Sequence, residues 1–211
     1  MNGYMKPQDI EKRSFEIITA ELGERTFPAG IAEVVKRVIH TTADFDYADS
    51  LAFSPDVIEK AKAALAAGAT VVTDTNMALS GVSKVTLAKL GGKAVCLMAD
   101  EQVASEAKAR GVTRAVVSME HAAKFEGPLI FAIGNAPTAL IRLHELINEG
   151  VVAPALVIGV PVGFVNVVEA KELFIGGDTP YIIARGRKGG SNVAASIVNA
   201  LLYQMVHREG F

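Results

Sequence analysis

The stretch richest in reactive groups is Arg37-Val38-Ile39-His40-Thr41-Thr42-Ala43-Asp44-Phe45-Asp46-Tyr47, where a histidine, two threonines and two aspartates gather at the end of an amphipathic helix. Ile31, Val34, Val35, Val38 and Ile39 keep the spacing of one buried helical face, and Pro28 suits its first turn. At about 100° per residue, His40 projects opposite that face, which favours a functional imidazole over a packed one. A helix C-terminus, with Asp44 or Asp46 close by, favours the imidazolium and gives His40 the character of a general acid. As a hard-ligand cluster, His40, Asp44, Asp46 and Asp49 fall short of a metal site, because no second histidine or cysteine joins them at ligand spacing. The alternation Asp44, Phe45, Asp46, Tyr47 predicts a short extended segment with its aromatics to one side.

A second cluster reads as an anion site. Arg185, Arg187 and Lys188 add cations to the flexible loop Gly186-Arg187-Lys188-Gly189-Gly190-Ser191, ahead of a helix that Ser191 can cap. Phosphate or carboxylate fits equally well, and the competing reading is a solvated surface loop. Pro137, two residues after Asn135, predicts a helix start whose backbone N–H groups are left free. The glycines match neither the P-loop nor the dinucleotide fingerprint, which argues against a nucleotide. Near the N-terminus, Arg13 taken alone reads as a surface charge and Ser14 as a hydroxyl bonding back to the carbonyl of Ile10. Of the other histidines, His144 has the neighbours of a packed edge residue, whereas His121 and His207 sit in polar surroundings.

The elements that must position these groups alternate between helix and strand. Pro7–Leu22 reads as a helix stopped by Gly23, and Ser54 and Pro55 predict the cap and first turn of another that runs to Gly68. Short apolar runs at Thr70–Thr73, 93–98, 113–117, Leu129–Ile133, 155–159 and Tyr181–Ala184 read as strands. Gly81 interrupts a helical continuation after Asp74-Thr75-Asn76-Met77 that reaches Leu90. This alternation predicts an α/β, Rossmann-like single domain spanning 1–211, with a mainly parallel sheet and helices on both faces. Ligands of such sheets collect at strand C-terminal ends, where Asp74 to Asn76, Gly134 to Thr138, Val160 to Phe164 and Gly186 to Ser191 all fall. The last helix, 192–205, is apolar or small nearly all round and is predicted to be buried, partly by another subunit.

Composition narrows the classes. The 211 residues carry a net charge of -2, which gives no argument for nucleic acid. Cys96 is the only cysteine, so an intramolecular disulfide is impossible; a reducing, cytoplasmic setting follows, with Cys96 as a small buried hydrophobe. The start lacks the apolar region of a secretory signal. Residues 150–168 lack any charge, but Pro154, Gly159, Pro161 and Gly163 punctuate them, and a buried strand and loop fit better than a membrane span.

In their order and spacing these motifs resemble the precorrin-8X (cobalt-precorrin-8) methylmutase family. The resemblance runs through Arg13-Ser14, the His40 stretch, Asp74-Thr75-Asn76-Met77, Gly134-Asn135-Ala136-Pro137-Thr138-Ala139-Leu140, Gly159-Val160-Pro161-Val162-Gly163-Phe164-Val165-Asn166 and Arg185-Gly186-Arg187-Lys188-Gly189-Gly190-Ser191-Asn192. It implies an isomerase of corrin biosynthesis that moves a methyl group from carbon eleven to carbon twelve, with no redox or nucleotide cofactor and with cobalt only if the substrate carries it. His40 matches the catalytic histidine, protonating or hydrogen-bonding a pyrroline nitrogen beside the migrating group. Arg13, Ser14, Arg185, Arg187 and Lys188 suit the carboxylates fringing the ring, and Arg114 matches a further substrate arginine. Thr41, Thr42, Asn76, Asn135 and Ser191 complete the expected substrate contacts. A homodimer is implied, with no nucleic acid or membrane partner. The rival from another class is a non-catalytic carrier of tetrapyrroles or other polyanions.

Overall fold

The computed structural model describes residues 6–206. Its sheet follows from runs of β-branched and aliphatic residues whose alternate side chains enter two different cores. Val71, Ile130, Ala132, Ile158 and Ile182 belong to one core, and Val72, Phe131, Ile133, Val157 and Ile183 to the other. Six strands take part, β1 (Leu51–Phe53), β2 (Thr70–Thr73), β3 (Lys93–Cys96), β4 (Leu129–Ile133), β5 (Leu156–Gly159) and β6 (Tyr181–Ala184), in the order β1-β6-β5-β4-β2-β3. All pairings are parallel except that of the edge strand β1, which runs antiparallel to β6 with Leu51 opposite Ala184.

The first core packs α1 (Pro7–Leu22), α2 (Ile31–Thr42), α4 (Val57–Ala66) and α11 (Ser191–Tyr203) against the sheet. The opposite core is closed by α8 (Arg114–Ala122), α9 (Pro137–Asn148) and α10 (Val167–Glu172). The remaining helices are α3 (Tyr47–Ser50), α5 (Asn76–Gly81), α6 (Lys84–Lys89) and α7 (Glu101–Arg110). Among the described residues, no helix is long and apolar enough to cross a membrane. Helix α11 is covered within the chain by α2, α4, α5 and the sheet. After β2 the chain adds β3 on one side and then crosses back to add β4 on the other. The carboxyl ends of β2 and β4 therefore flank a topological switch point.

Several local expectations fail for identifiable reasons. The 113–117 run is a helix start, not a strand: Thr113 caps α8 by accepting the Val116 N–H at 3.3 Å, and Ala115, Met119 and Ala122 are among its buried residues. Ser54 does not cap α4; its hydroxyl accepts the Tyr181 N–H at 2.9 Å, tying β1 to β6, while Asp56 holds the N-cap position. Gly30, not the region of Pro28, is the N-cap of α2. The 44–47 segment is a turn leading into α3 with Tyr47 buried, because Asp44 accepts the Asp46 N–H and closes the chain locally. Cys96 is only partly buried at the end of the outermost strand. His207 lies outside the described residues.

Candidate functional site

His40 lies in the last turn of α2, whose helix continues to Thr42 before Ala43 closes it in the left-handed conformation. The four residues Val34, Val35, Val38 and Ile39 are buried, and His40 on the other side is exposed. Helix α1 backs the imidazole: the Phe15 ring stacks on it with centroids 5.2 Å apart and planes 18° from parallel. The Arg37 guanidinium lies 4.6 Å from the centroid of the same Phe15 ring and pairs with Glu11. Partial burial, then the charge of Arg37, lower the His40 pKa, with Glu11 opposing. Asp44 and Asp46, expected to pull it upward, are not among its causes; both carboxylates pair with Lys188, each at 2.6 Å from its ammonium. His40 and Thr41 open on a groove of about 530 Å³ shared by α1, α2 and α11, with Glu11, Arg37, Asn192 and Tyr203 among its walls. Thr42 turns inward instead, donating to the Val38 carbonyl and accepting the Asp44 N–H.

Asn192, which lines this groove, follows Ser191 at the start of α11, where the loops at the strand ends begin. Asp74, fully buried at the end of β2, accepts the N–H groups of Gly134, Asn135 and Ala136 at 2.8, 2.7 and 2.6 Å. The free N–H groups expected ahead of α9 are thus filled by the protein's own carboxylate, drawn to the switch point by the same electrostatics that would draw a ligand. Burial pushes the Asp74 pKa up, and the three N–H donors pull it down. Next to it, the Thr75 and Ser191 hydroxyls share a hydrogen bond of 2.7 Å; Ser191 is the first residue of α11, and Gly190 holds the N-cap position. Asn76, the first residue of α5, and Asn135, on the loop after β4, are exposed.

The basic loop is zipped to its neighbour: Gly190 N–H donates to Val160 O and Gly163 N–H to Arg187 O. Gly189 is pressed so closely on that neighbour that a Cβ there would lie 2.0 Å from Val160 O. Arg185 makes a bidentate pair with Glu172 at 3.0 and 2.8 Å. Of Arg185, Arg187 and Lys188, only Arg187 has no carboxylate partner among the described residues; its guanidinium lies 5.4 Å from the centroid of the exposed Phe164 ring. Arg13 and Ser14 are engaged within α1, by Glu16 at 3.0 Å and by the Ile10 carbonyl at 2.9 Å, and neither lines the groove. Arg114 stands apart from His40 at the start of α8, with Nη1 3.5 Å from Met98 O beside the outermost strand. Among the described residues, no three His, Cys, Asp or Glu side chains converge as a metal site.

This arrangement offers a proton donor in an apolar-backed groove and cations at loop tips, and comparison with known proteins gives it a family. The model of the precorrin-8X methylmutase family matches residues 9–204. The chain belongs to this family. It is 46% identical to the cobalt-precorrin-8 methylmutase of Salmonella typhimurium, with 97% of this chain and 99% of that protein covered. To the precorrin-8X methylmutase of Pseudomonas aeruginosa it is 40% identical, over 92% of this chain and 94% of the relative. The crystallographically analysed precorrin-8X methylmutase of Thermus thermophilus superposes with a TM-score of 0.86 at 39% identity, covering 92% and 94% of the two chains.

Four residues that bear on this family site owe their roles to contacts that residue type alone does not announce. Phe15 and Arg37 look like an ordinary apolar position and an ordinary surface charge until α1 and α2 are packed. Asp74 is conspicuous as an acid leaving a strand, but its three N–H partners lie about sixty positions away in the chain. Lys171 sits at the end of α10, is fully buried, and donates to the carbonyls of Gly186 and Lys188, both at 2.8 Å.

Proposed function

We propose that the protein is the isomerase that moves the methyl group from carbon eleven to carbon twelve of precorrin-8X or cobalt-precorrin-8, giving hydrogenobyrinic or cobyrinic acid. Family membership supports the reaction, and the observation that carries it to named atoms is the exposed His40 imidazole, stacked on Phe15 at the mouth of the groove. A proton or hydrogen bond given to a ring nitrogen beside the migrating methyl draws electron density out of the macrocycle as charge develops. Stacking on Phe15 restricts the imidazole plane, so less orientation is lost on reaching the transition state. The exposed Val162, Phe164 and Val165 offer apolar surface to the ring, with Arg187 beside them for a carboxylate. Arg13, Ser14, Thr41, Thr42, Asn76, Arg114, Asn135, Arg185, Lys188 and Ser191 remain substrate contacts in this proposal, those now engaged elsewhere in the chain exchanging partners or acting through them.

The reaction so read uses no redox or nucleotide cofactor, and cobalt belongs to the substrate. A cytoplasmic homodimer completes the proposal; exposed Ile10, Met77 and Val85 are apolar surface available to a second copy. Incubation with metal-free precorrin-8X and with cobalt-precorrin-8, followed by visible spectroscopy, should convert at least one into its corrin product. Binding of both without conversion would leave a carrier instead, and binding of neither would remove the corrin reading altogether.

A further inference from the structure

Of the charged side chains in this protein, the ammonium of Lys171 is among the most expensive to keep where it is. It is fully buried, and burial drives its pKa down to about 8. No part of the proposed reaction uses it. Its two acceptors are the main-chain carbonyls on either side of Arg187. The carbonyl of Arg187 itself, between them, accepts from Gly163 N–H at 3.2 Å. Three successive carbonyls are therefore fixed, the outer two by Lys171 and the middle one by the 160–166 loop. The next residue of α10 acts on the same loop from outside, since Glu172 grips the Arg185 guanidinium.

The loop needs such bracing. Gly186, Gly189 and Gly190 give it wide conformational freedom, and Arg187 has no carboxylate partner among the described residues to hold it. Its intrinsic preferences do not specify one shape. An ammonium suits the task because it carries three donors on one small head and reaches from α10 on a long apolar stem that packs in the core.

We propose that Lys171 is a positioning residue, whose buried ammonium fixes the main chain of residues 186–188 and so holds Arg187 beside Phe164 to receive a carboxylate of the ring substrate. The carboxylate partner rests on the function proposed above, whereas the bracing of the loop does not.

Arg185, Arg187 and Lys188 make the loop a trypsin target, which allows the brace to be tested without any ligand. The proteins to compare are the unmodified enzyme, Lys171→Met, which keeps the apolar stem and removes the donors, and Lys171→Arg, which restores donors to the site. Cleavage after Arg187 or Lys188 in Lys171→Met should be at least about tenfold faster, and the dissociation constant for hydrogenobyrinic acid should rise about tenfold, or 1.4 kcal/mol. KM should rise with it, kcat should stay within about twofold, and Lys171→Arg should recover most of both properties. A lysine that merely supported the fold would lower the unfolding temperature and the active fraction, and leave loop cleavage, KM and product affinity of the folded fraction unchanged. That result would overturn the proposal, as would a fall in kcat at constant KM. If Lys171→Met does not fold, Lys171→Gln, with a shorter reach and fewer donors, should show intermediate cleavage and affinity, and unmodified-like values would overturn it equally. Absence of corrin binding by the unmodified protein would instead refute the proposed function and the carboxylate partner, while the cleavage comparison would still decide on the brace.

Discussion

Replacing His40 by asparagine should separate chemistry from folding by magnitude. The imidazole is exposed, and the packing it loses is chiefly the stack on Phe15. Such a ring pair is worth about 0.5–1.5 kcal/mol, with an exposed imidazole at the low end. At that low end, a chain of this size loses only about 1–2 °C in unfolding temperature. Loss of a general acid lowers turnover by about 10²–10⁴-fold, the lower figure alone corresponding to about 2.7 kcal/mol. The pH profile adds an independent sign. Partial burial and Arg37 hold the His40 pKa below 6.5. At pH 7.5 a histidine of pKa 6.5 is about 9% protonated, and His40 less than that. For the free enzyme, kcat/KM should therefore climb as pH falls and level off below pH 6.5. Folding runs the other way: the depressed pKa favours the folded state above about pH 6.5, a contribution lost as pH falls through the folded value. Rates must accordingly be referred to the folded fraction. Carboxylates of a bound ring bring negative charge to the groove and should place the kcat midpoint above that of kcat/KM. Arg37→Met removes a lowering influence and leaves Glu11, so it should move the kcat/KM midpoint upward. Single-turnover spectroscopy at matched saturation gives the rates. A His40→Asn protein isomerising at the normal rate, or a profile of unchanged shape in that variant, would refute the acid role.

The three cations of the basic loop should not behave alike. Arg187→Ala should weaken product binding by about 10–100-fold, the range of a charge-assisted hydrogen bond, whereas Arg185→Ala should do less because its guanidinium already serves Glu172; calorimetry ranks them. Lys188 neutralises Asp44 and Asp46, so Asp44→Asn should tighten binding of a polycarboxylate, and unchanged affinity would show that this acid does not reach the substrate's field. Gly189→Ala drives a Cβ into Val160 O and should destabilise the chain by about 1–3 kcal/mol while weakening ring binding, read by denaturant unfolding and calorimetry; a neutral effect would mean the two loops are not packed as described.

How much of this was legible in the sequence depended on the range of the interaction concerned. Helix α2 follows from a local periodicity, so the exposure of His40 could be inferred from Val34, Val35, Val38 and Ile39 alone. The parallel sheet follows from short apolar runs between helices, and five of its strands are visible that way. The edge strand β1 is three residues long and held by Tyr181 N–H on Ser54, a contact 127 positions apart, so nothing local announces it. Residues 113–117 mislead because two adjacent valines suggest a strand while the deciding feature is the Thr113 cap. The site divides the same way. Residue type identifies His40 and the basic loop as chemistry, but which cation is spent inside the protein depends on Glu172, Asp44 and Asp46, whose distance in space the chain order does not reveal.

The two buried charges explain why so glycine-rich and loop-built a site can be specific. At the switch point between β2 and β4 the N–H groups of residues 134–136 create a positive crevice that would take any anion, and Asp74 closes it. Across the edge of the sheet, the carbonyls of residues 186 and 188 create a negative one, and Lys171 closes that. Each charge is matched by backbone dipoles of opposite sign, so a buried carboxylate and a buried ammonium are stabilised without needing each other. What remains exposed around these loops and without a carboxylate partner among the described residues includes Asn76 at the start of α5, Asn135, Arg187 and the apolar Val162, Phe164 and Val165. A small phosphate would find the helix N-terminal seat ahead of α9 already occupied by Asp74, and under the proposed function the ring must use the cations and apolar side chains left exposed. The backbone N–H groups that read in sequence as an open anion seat are thus already neutralised within the folded chain by Asp74.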